Sequence, residues 1–273
     1  MEIAEKLNQI FHGSSRAHGT FTVENNIIGQ KTQGKAKTIK TVGASIKHWQ
    51  DHLEGKQGLG IIPIDEDNLV KWGAIDIDIY SLNLEKLVNK IEEFKLPLVV
   101  CRSKSGGAHV YCFLKEKAPA ADMQDKLREI AAGLGYGGVE IFPKQREVLV
   151  DRGDIGSWLN MPYFEGDESM RYAFDPKAQA LSLINFISFI EQRLISHEEL
   201  VELEVPVLND IKDGPPCLQV LLKQGFPEGT RNNGLFNVGV YLKKSSPENW
   251  ELEIEEYNRK YVHPPLPAQE VLT

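Results

Sequence analysis

The chain has 273 residues, 41% hydrophobic and 26% charged, an ordinary globular composition with length enough for about two domains. Its formal net charge of −8 excludes a surface that is basic all over, the usual footprint of a protein that coats nucleic acid. Cys101, Cys112 and Cys217 are too few and too scattered for a disulfide framework or a Cys-X-X-Cys zinc site. No apolar run approaches the ~18–20 residues of a membrane helix, and Met1 to His12 lacks the apolar core of a signal peptide. A soluble protein of a reducing, cytoplasmic compartment is expected, with no membrane partner. The charge is uneven: Arg16, Lys31, Lys35, Lys37, Lys40 and Lys47 stand against Glu24 alone, whereas Glu191 to Asp213 is nearly all acid.

Residues 1–20 read as a short amphipathic helix followed by a Gly/Ser loop. A basic, Thr- and Gly-rich stretch follows, then a helix from Ala44 to Leu53. Gly58 to Ile64 and Trp72 to Tyr80 read as strands on either side of an acidic turn, Leu84 to Phe94 as a helix, and Pro97 to Arg102 as a strand. Ser103 to Gly107 is a polar turn, Ala108 to Leu114 a strand, and Ala120 to Leu134 a helix closed by Gly135, Gly137 and Gly138. Val139 to Phe142 and Glu147 to Asp151 are expected as short strands, and Leu181 to Leu203 as a helical run. Val205 to Pro216 has a linker's composition, and Leu218 to Lys223, Asn232 to Lys244 and Pro247 to Arg259 form a small all-helical unit. The boundaries are therefore 1–204, 205–216 and 217–273, with an α+β first domain.

Three segments carry chemistry. In Ala74-Ile75-Asp76-Ile77-Asp78-Ile79-Tyr80, strand alternation sends the isoleucines one way and the two aspartates the other. Two carboxylates that close repel and raise each other's pKa unless a divalent cation neutralises them, so the pair is either half a metal site or a solvated face. Arg102-Ser103-Lys104-Ser105-Gly106-Gly107-Ala108-His109 combines glycines, which let backbone N–H groups approach a phosphate, with the donors Lys104, Ser105 and His109. The same residues also suit a plain hairpin turn with a surface histidine. On the outgoing strand His109, Tyr111 and Phe113 share one face, while Ala108, Val110, Cys112 and Leu114 are expected to face the core. Glu140 interrupts the apolar strand Val139-Glu140-Ile141-Phe142, and Lys144, Gln145 and Arg146 follow it, placed to meet phosphate. Asn160, among apolar neighbours, suits either a ligand hydrogen bond or a loop contact.

Asp76-X-Asp78, then Gly107-Ala108-His109, then Val139-Glu140 come in an order and spacing that resemble the archaeo-eukaryotic primase superfamily, in particular the primase-polymerases of phages, plasmids and mobile elements. The resemblance spans Gly58 through Tyr163. It implies an RRM-like catalytic core with mixed or antiparallel sheets. Asp76, Asp78 and Glu140 would bind two Mg²⁺ or Mn²⁺ ions, and His109 would contact the incoming triphosphate. Lys104, Ser105, Gly107, Lys144, Gln145 and Asn160 would help to hold the nucleotide, and Tyr80 its sugar. Human-type members usually carry Ser at the Gly107 position, so that phosphate contact is either missing here or supplied by Ser105. The C-terminal unit resembles the small helical domain that follows the core in phage and plasmid primases. Arg231, Asn232 and Asn233 at a helix start there suit a template or initiating-nucleotide phosphate, or simply a cap.

The implied function is DNA primase or primase-polymerase activity on single-stranded DNA with NTP or dNTP substrates, in the replication of a phage or other mobile element in its bacterial host's cytoplasm. Related proteins often continue into a zinc-binding or helicase segment, which would make this chain a fragment and assure extension better than autonomous priming. Two other classes use the same residues: a metal-dependent nuclease, or a non-catalytic RRM-like nucleic-acid-binding or replication-initiation module. The first sits poorly with a phosphate-cradling hairpin. The second would want exposed aromatics, not carboxylates, on the sheet face.

Overall fold

The structure is a computed structural model that describes residues 2–25, 33–79, 82–205, 211, 214–226, 229–248 and 250–271. The chain divides into two compact units, residues 1–126 with 140–203 and residues 127–139 with 204–273. The excursion at 127–139 had been expected to belong to the N-terminal domain. Most of the stretch with a linker's composition lies outside the described residues. Among the described residues no helix is long and apolar enough to cross a membrane.

The first unit is α+β. It opens with α1 (Ile3–Ile10), β1 (His18–Asn25), β2 (Gln33–Ile39), α2 (Ile46–Leu53) and β3 (Gly58–Ile61). Next come β4 (Leu69–Ile77), α3 (Leu84–Glu93), β5 (Leu98–Arg102), β6 (Ala108–Pro119) and the start of α4 (Ala120–Gly133). It closes with β7 (Glu140–Phe142), β8 (Leu159–Asn160), α5 (Leu183–Gln192) and α6 (His197–Glu202). Two four-stranded sheets result, in the orders β2-β1-β3-β8 and β5-β6-β4-β7, and every ladder between the named strands is antiparallel.

Three expectations are corrected. The basic, Thr- and Gly-rich stretch holds two strands: Gln33-Gly34-Lys35-Ala36-Lys37 offers no apolar alternation to announce one, and pairing with β1 makes it a strand. Glu147 to Asp151 is not a strand; a 3-10 turn, Val150–Arg152, closes on the left-handed Gly153. The run Leu181 to Leu203 breaks at Arg193, and Ser196 restarts a helix through a capping box with Glu199.

The front face of the second sheet decides where the site lies. Its first rungs are Trp72 opposite Phe113, and Val99, Tyr111, Ala74 and Phe142 in a row. All six are buried, and Phe11 joins the sheet to the helices, its ring 5.3–5.5 Å from those of Trp49, Trp72, Tyr111 and Phe113. Tyr111 and Phe113 therefore belong to the core. Ile75, Ile77, Val110 and Cys112 on the opposite face are buried as well. The strand is covered on both sides, so alternation told the faces apart without telling which was wet.

The second unit is helical: α7 (Pro216–Gln224), α8 (Arg231–Ser245), α9 (Trp250–Tyr261) and α10 (Ala268–Val271) surround Phe226, Leu235, Val238, Leu242, Ile254 and Tyr261. Gly234 lets α8 pass against the Phe226 ring, where a Cβ would stand 2.3 Å from Cδ1.

Candidate active site

The third rung of that front face is where the core turns polar. Cys101, His109, Asp76 and Glu140 lie directly opposite one another across β5, β6, β4 and β7. Opposite residues in antiparallel strands share a face with Cβ atoms ~5 Å apart, so the register alone brings the second and third sequence motifs to the first. Asp78 follows one residue after the end of β4 and is exposed.

Asp76 is mostly buried, and its Oδ1 has no hydrogen-bond partner among the described residues. Burial, then repulsion from Asp78 and from Glu140, pushes its carboxyl up to about 7, against the opposing pull of Lys144 and Lys104. His109 Nε2 lies 3.4 Å from Asp76 Oδ1, which is ion-pair distance. Burial, followed by the charges of Arg171 and Lys104, drives the His109 pKa down to about 3, so the imidazole is neutral and the contact is no salt bridge. The Tyr111 hydroxyl, 3.2 Å from Nδ1, and a hydrogen bond to the Asn160 backbone fix the ring. Glu140 is exposed and paired with Lys144, whose Nζ lies 2.7 Å from Oε2.

The loop between β5 and β6 closes tightly. Ser103 N donates to Gly107 O at 2.9 Å, and Gly106 N to Ser103 O at 3.1 Å, with Gly106 at φ 94°. Gly107 is packed so closely on β4 that a Cβ would stand 2.1 Å from Ile77 O. The two strands leave no room for a side chain at this position. Ser105 is buried within the loop, and Lys104 reaches out to lay its ammonium 3.4 Å from the centroid of the Phe21 ring on β1.

The remaining expected residues divide. Asn160, on β8 opposite Gly60, lies beside His109, and its Oδ1 is buried without a partner among the described residues. Gln145 commits both ends of its amide to Ser157, Nε2 to Oγ and Oε1 from the backbone N–H, each at 3.0 Å; it is a tether between segments. Tyr80 lies outside the described residues. Arg231, Asn232 and Asn233 open α8 in the second unit. Arg231 Nη1 donates to Pro264 O at 2.8 Å, Asn233 O accepts from Asn237 Nδ2, and Thr230 makes no side-chain cap.

Sequence reasoning missed Arg171. It is 7% exposed, its Nη1 has no partner among the described residues, and its guanidinium stands 5.0 Å from the Phe164 ring centroid. Burial lowers its pKa to about 10, and its charge acts on both His109 and Tyr111. The available signal was an arginine leading directly into the apolar alternation Tyr172-Ala173-Phe174, which pairs with β5 through Cys101 and Ala173.

Oxygen donors, one of them buried and unsatisfied, with mutual repulsion strong enough to hold a proton near neutrality, suit a hard divalent cation. Among the described residues no three acidic, histidine or cysteine groups already converge as a cage. Mg²⁺ needs none, since it commonly takes one or two carboxylates and completes its shell with water and substrate phosphate. The residues therefore fit the ion. No curated protein matches the chain. Residues 20–173, more than half of it and including every member of the rung, match the family described as the archaeo-eukaryotic primase domain of the TOTE conflict system, and the chain belongs to that family.

Proposed function

We propose that this protein is a template-dependent nucleotidyltransferase that makes and extends primers on single-stranded DNA. The observation that carries the reading is the rung His109–Asp76–Glu140, with Asp78 at its open edge and the Lys104 loop beside it. Nucleotidyl transfer needs charge neutralised on a triphosphate and a hydroxyl held for in-line attack. A neutral His109 has one N–H, held by the Asn160 backbone, and would turn it to a phosphate oxygen when the triphosphate binds, without competing for the carboxylates. Lys104, Lys144 and Arg171 supply the positive charge, and Arg171, already desolvated and with its Nη1 unpartnered among the described residues, gains most from meeting an anion. Lys144 exchanges its Glu140 partner for phosphate, which frees Glu140 to join Asp76 and Asp78. Mg²⁺ or Mn²⁺ held by these three carboxylates would lower the pKa of the attacking 3′-hydroxyl and stabilise the leaving pyrophosphate. The setting expected from the sequence, a phage or other mobile element, is carried as part of this proposal.

Burial of Tyr111 and Phe113 argues against a non-catalytic RRM-like module, which stacks bases on exposed aromatics of such strands. The test offers an unprimed and a primed single-stranded DNA template, labelled NTPs or dNTPs, and either metal, to wild type and to Asp76→Ala/Asp78→Ala. Products from the wild type alone are expected. Extension without initiation would confine the activity to polymerisation. The absence of synthesis on both templates with both metals would overturn the proposal.

A further inference from the structure

The first sheet has a face that the catalytic reading leaves unused. Gly19, Phe21, Gly34, Ala36, Thr38, Gly58, Gly60 and Asn160 alternate onto it, as the ladder register requires. Trp158, two residues before Asn160, lies down on this face. A Cβ built at Gly19 would stand 2.1, 2.4 and 2.6 Å from Cδ2, Cε2 and Cε3 of the indole, and one at Gly60 2.2 Å from Cε3. The spread at Gly19 is that of a point above the ring face, not at its edge, so the indole lies flat on bare backbone. Its Nε1 donates to Thr38 Oγ1 at 3.0 Å, which fixes the ring's rotation. The residue as a whole is only partly buried.

A tryptophan held flat on backbone, only partly buried and with its polar atom satisfied by the protein, suits a stacking platform. Its neighbours say for what. Lys104 sits over Phe21, two residues along β1 from Gly19 and on the same face. Asn160, whose backbone is hydrogen-bonded by His109, leaves Oδ1 without a donor. The face thus begins beside the groups assigned to the triphosphate and continues to an aromatic plane and an unsatisfied acceptor. We infer that Trp158 and Asn160 form the nucleoside subsite for the incoming nucleotide: the base stacks on the indole, and a base amine or sugar hydroxyl donates to Asn160 Oδ1. This rests on the proposed function for the identity of the triphosphate end.

The test reads tryptophan fluorescence with dATP, inorganic tripolyphosphate or an oligo-dT strand added to the full chain without divalent metal, so that no turnover is needed. Trp49 and Trp72 are wholly buried and silent to a ligand; Trp250 is controlled by the variant Trp158→Phe. Quenching by dATP and not by tripolyphosphate, lost in Trp158→Phe, is expected. Trp158→Ala should raise the KM for nucleotide about 5- to 100-fold, the range of one base–aromatic stack, with a smaller effect from Trp158→Phe. Binding of dATP by calorimetry without quenching would overturn this inference and leave the proposed function standing. Absence of binding by both dATP and ATP, without and with Mg²⁺, would overturn both. Quenching by the strand and not by dATP would assign the platform to template and refute the nucleoside assignment.

Discussion

Asp76→Asn should make the protein more stable at pH 8 while destroying its activity. The carboxyl is raised from 3.8 to about 7, chiefly by burial and then by Asp78 and Glu140. Between those values the unfolded chain has lost the proton and the folded chain keeps it, so the unfolded state binds fewer protons and stability falls as pH rises. The loss begins near pH 4 and is complete above pH 7. About three pKa units at about 1.4 kcal/mol each set an upper bound of about 4 kcal/mol. Asp78 and Glu140 are exposed and screened by solvent, so about 2–4 kcal/mol is expected. Asparagine is nearly isosteric with the protonated acid, so the variant should match wild type near pH 4 and exceed it by this amount at pH 8.

The assay is urea unfolding in EDTA at several pH values, followed by the fluorescence of the buried Trp49 and Trp72, because the two units need not unfold together. The difference between variant and wild type isolates Asp76; the profile of either alone does not. His52 and His109, both pushed down to about 3, bias stability the other way, since their unfolded forms take up protons below about pH 6.5. Adding Mg²⁺ at pH 8 should return stability to wild type and not to the variant. A difference that stays flat from pH 4 to 8, or a variant less stable at pH 8, would refute the idea that Asp76 is an uncompensated buried acid.

Arg171→Met should raise thermal stability or leave it unchanged while weakening nucleotide binding at least tenfold, because a buried cation whose Nη1 has no partner among the described residues carries a desolvation cost that an anion offsets; a large loss of stability would make it a structural residue. Gly107→Ser should lower both stability, by about 1–3 kcal/mol, and activity, since Cβ meets Ile77 O at 2.1 Å; thermal melts and the extension assay check it. A thiol reagent should label Cys217 quickly and Cys101 and Cys112 only on unfolding: both are buried, and burial pushes Cys112 up to about 12 and Cys101 upward. Fast labelling of more than one thiol would contradict the packing of β5 and β6.

What the sequence made legible was whatever strand alternation carries. Asp76, His109 and Glu140 were placed on strands from period two, whereas Asp78, expected on the same strand, falls just past the end of β4; family resemblance supplied their common purpose. Register was not legible: that Asp76 faces both His109 and Glu140 follows from ladders between segments more than thirty residues apart, which no local pattern encodes. Nor was the wet face, because β6 is buried on both sides and alternation then has no solvent to report. Arg171 and Trp158 escaped for a related reason. Each acts through what it lies against, Phe164 in one case and the backbone of Gly19 and Gly60 in the other. Glycines in a strand read as weak strand formers, and only the assembled sheet shows that they make a floor. The active-site face is the core face continued one rung further: Trp72, Phe113 and Tyr111 exclude water, and the next rung exchanges that packing for buried polar groups left unsatisfied. A site built this way gets its rigidity and its low dielectric from the core it adjoins. The cost is the raised pKa of Asp76, so the instability predicted for pH 8 and the readiness to bind a cation have one cause.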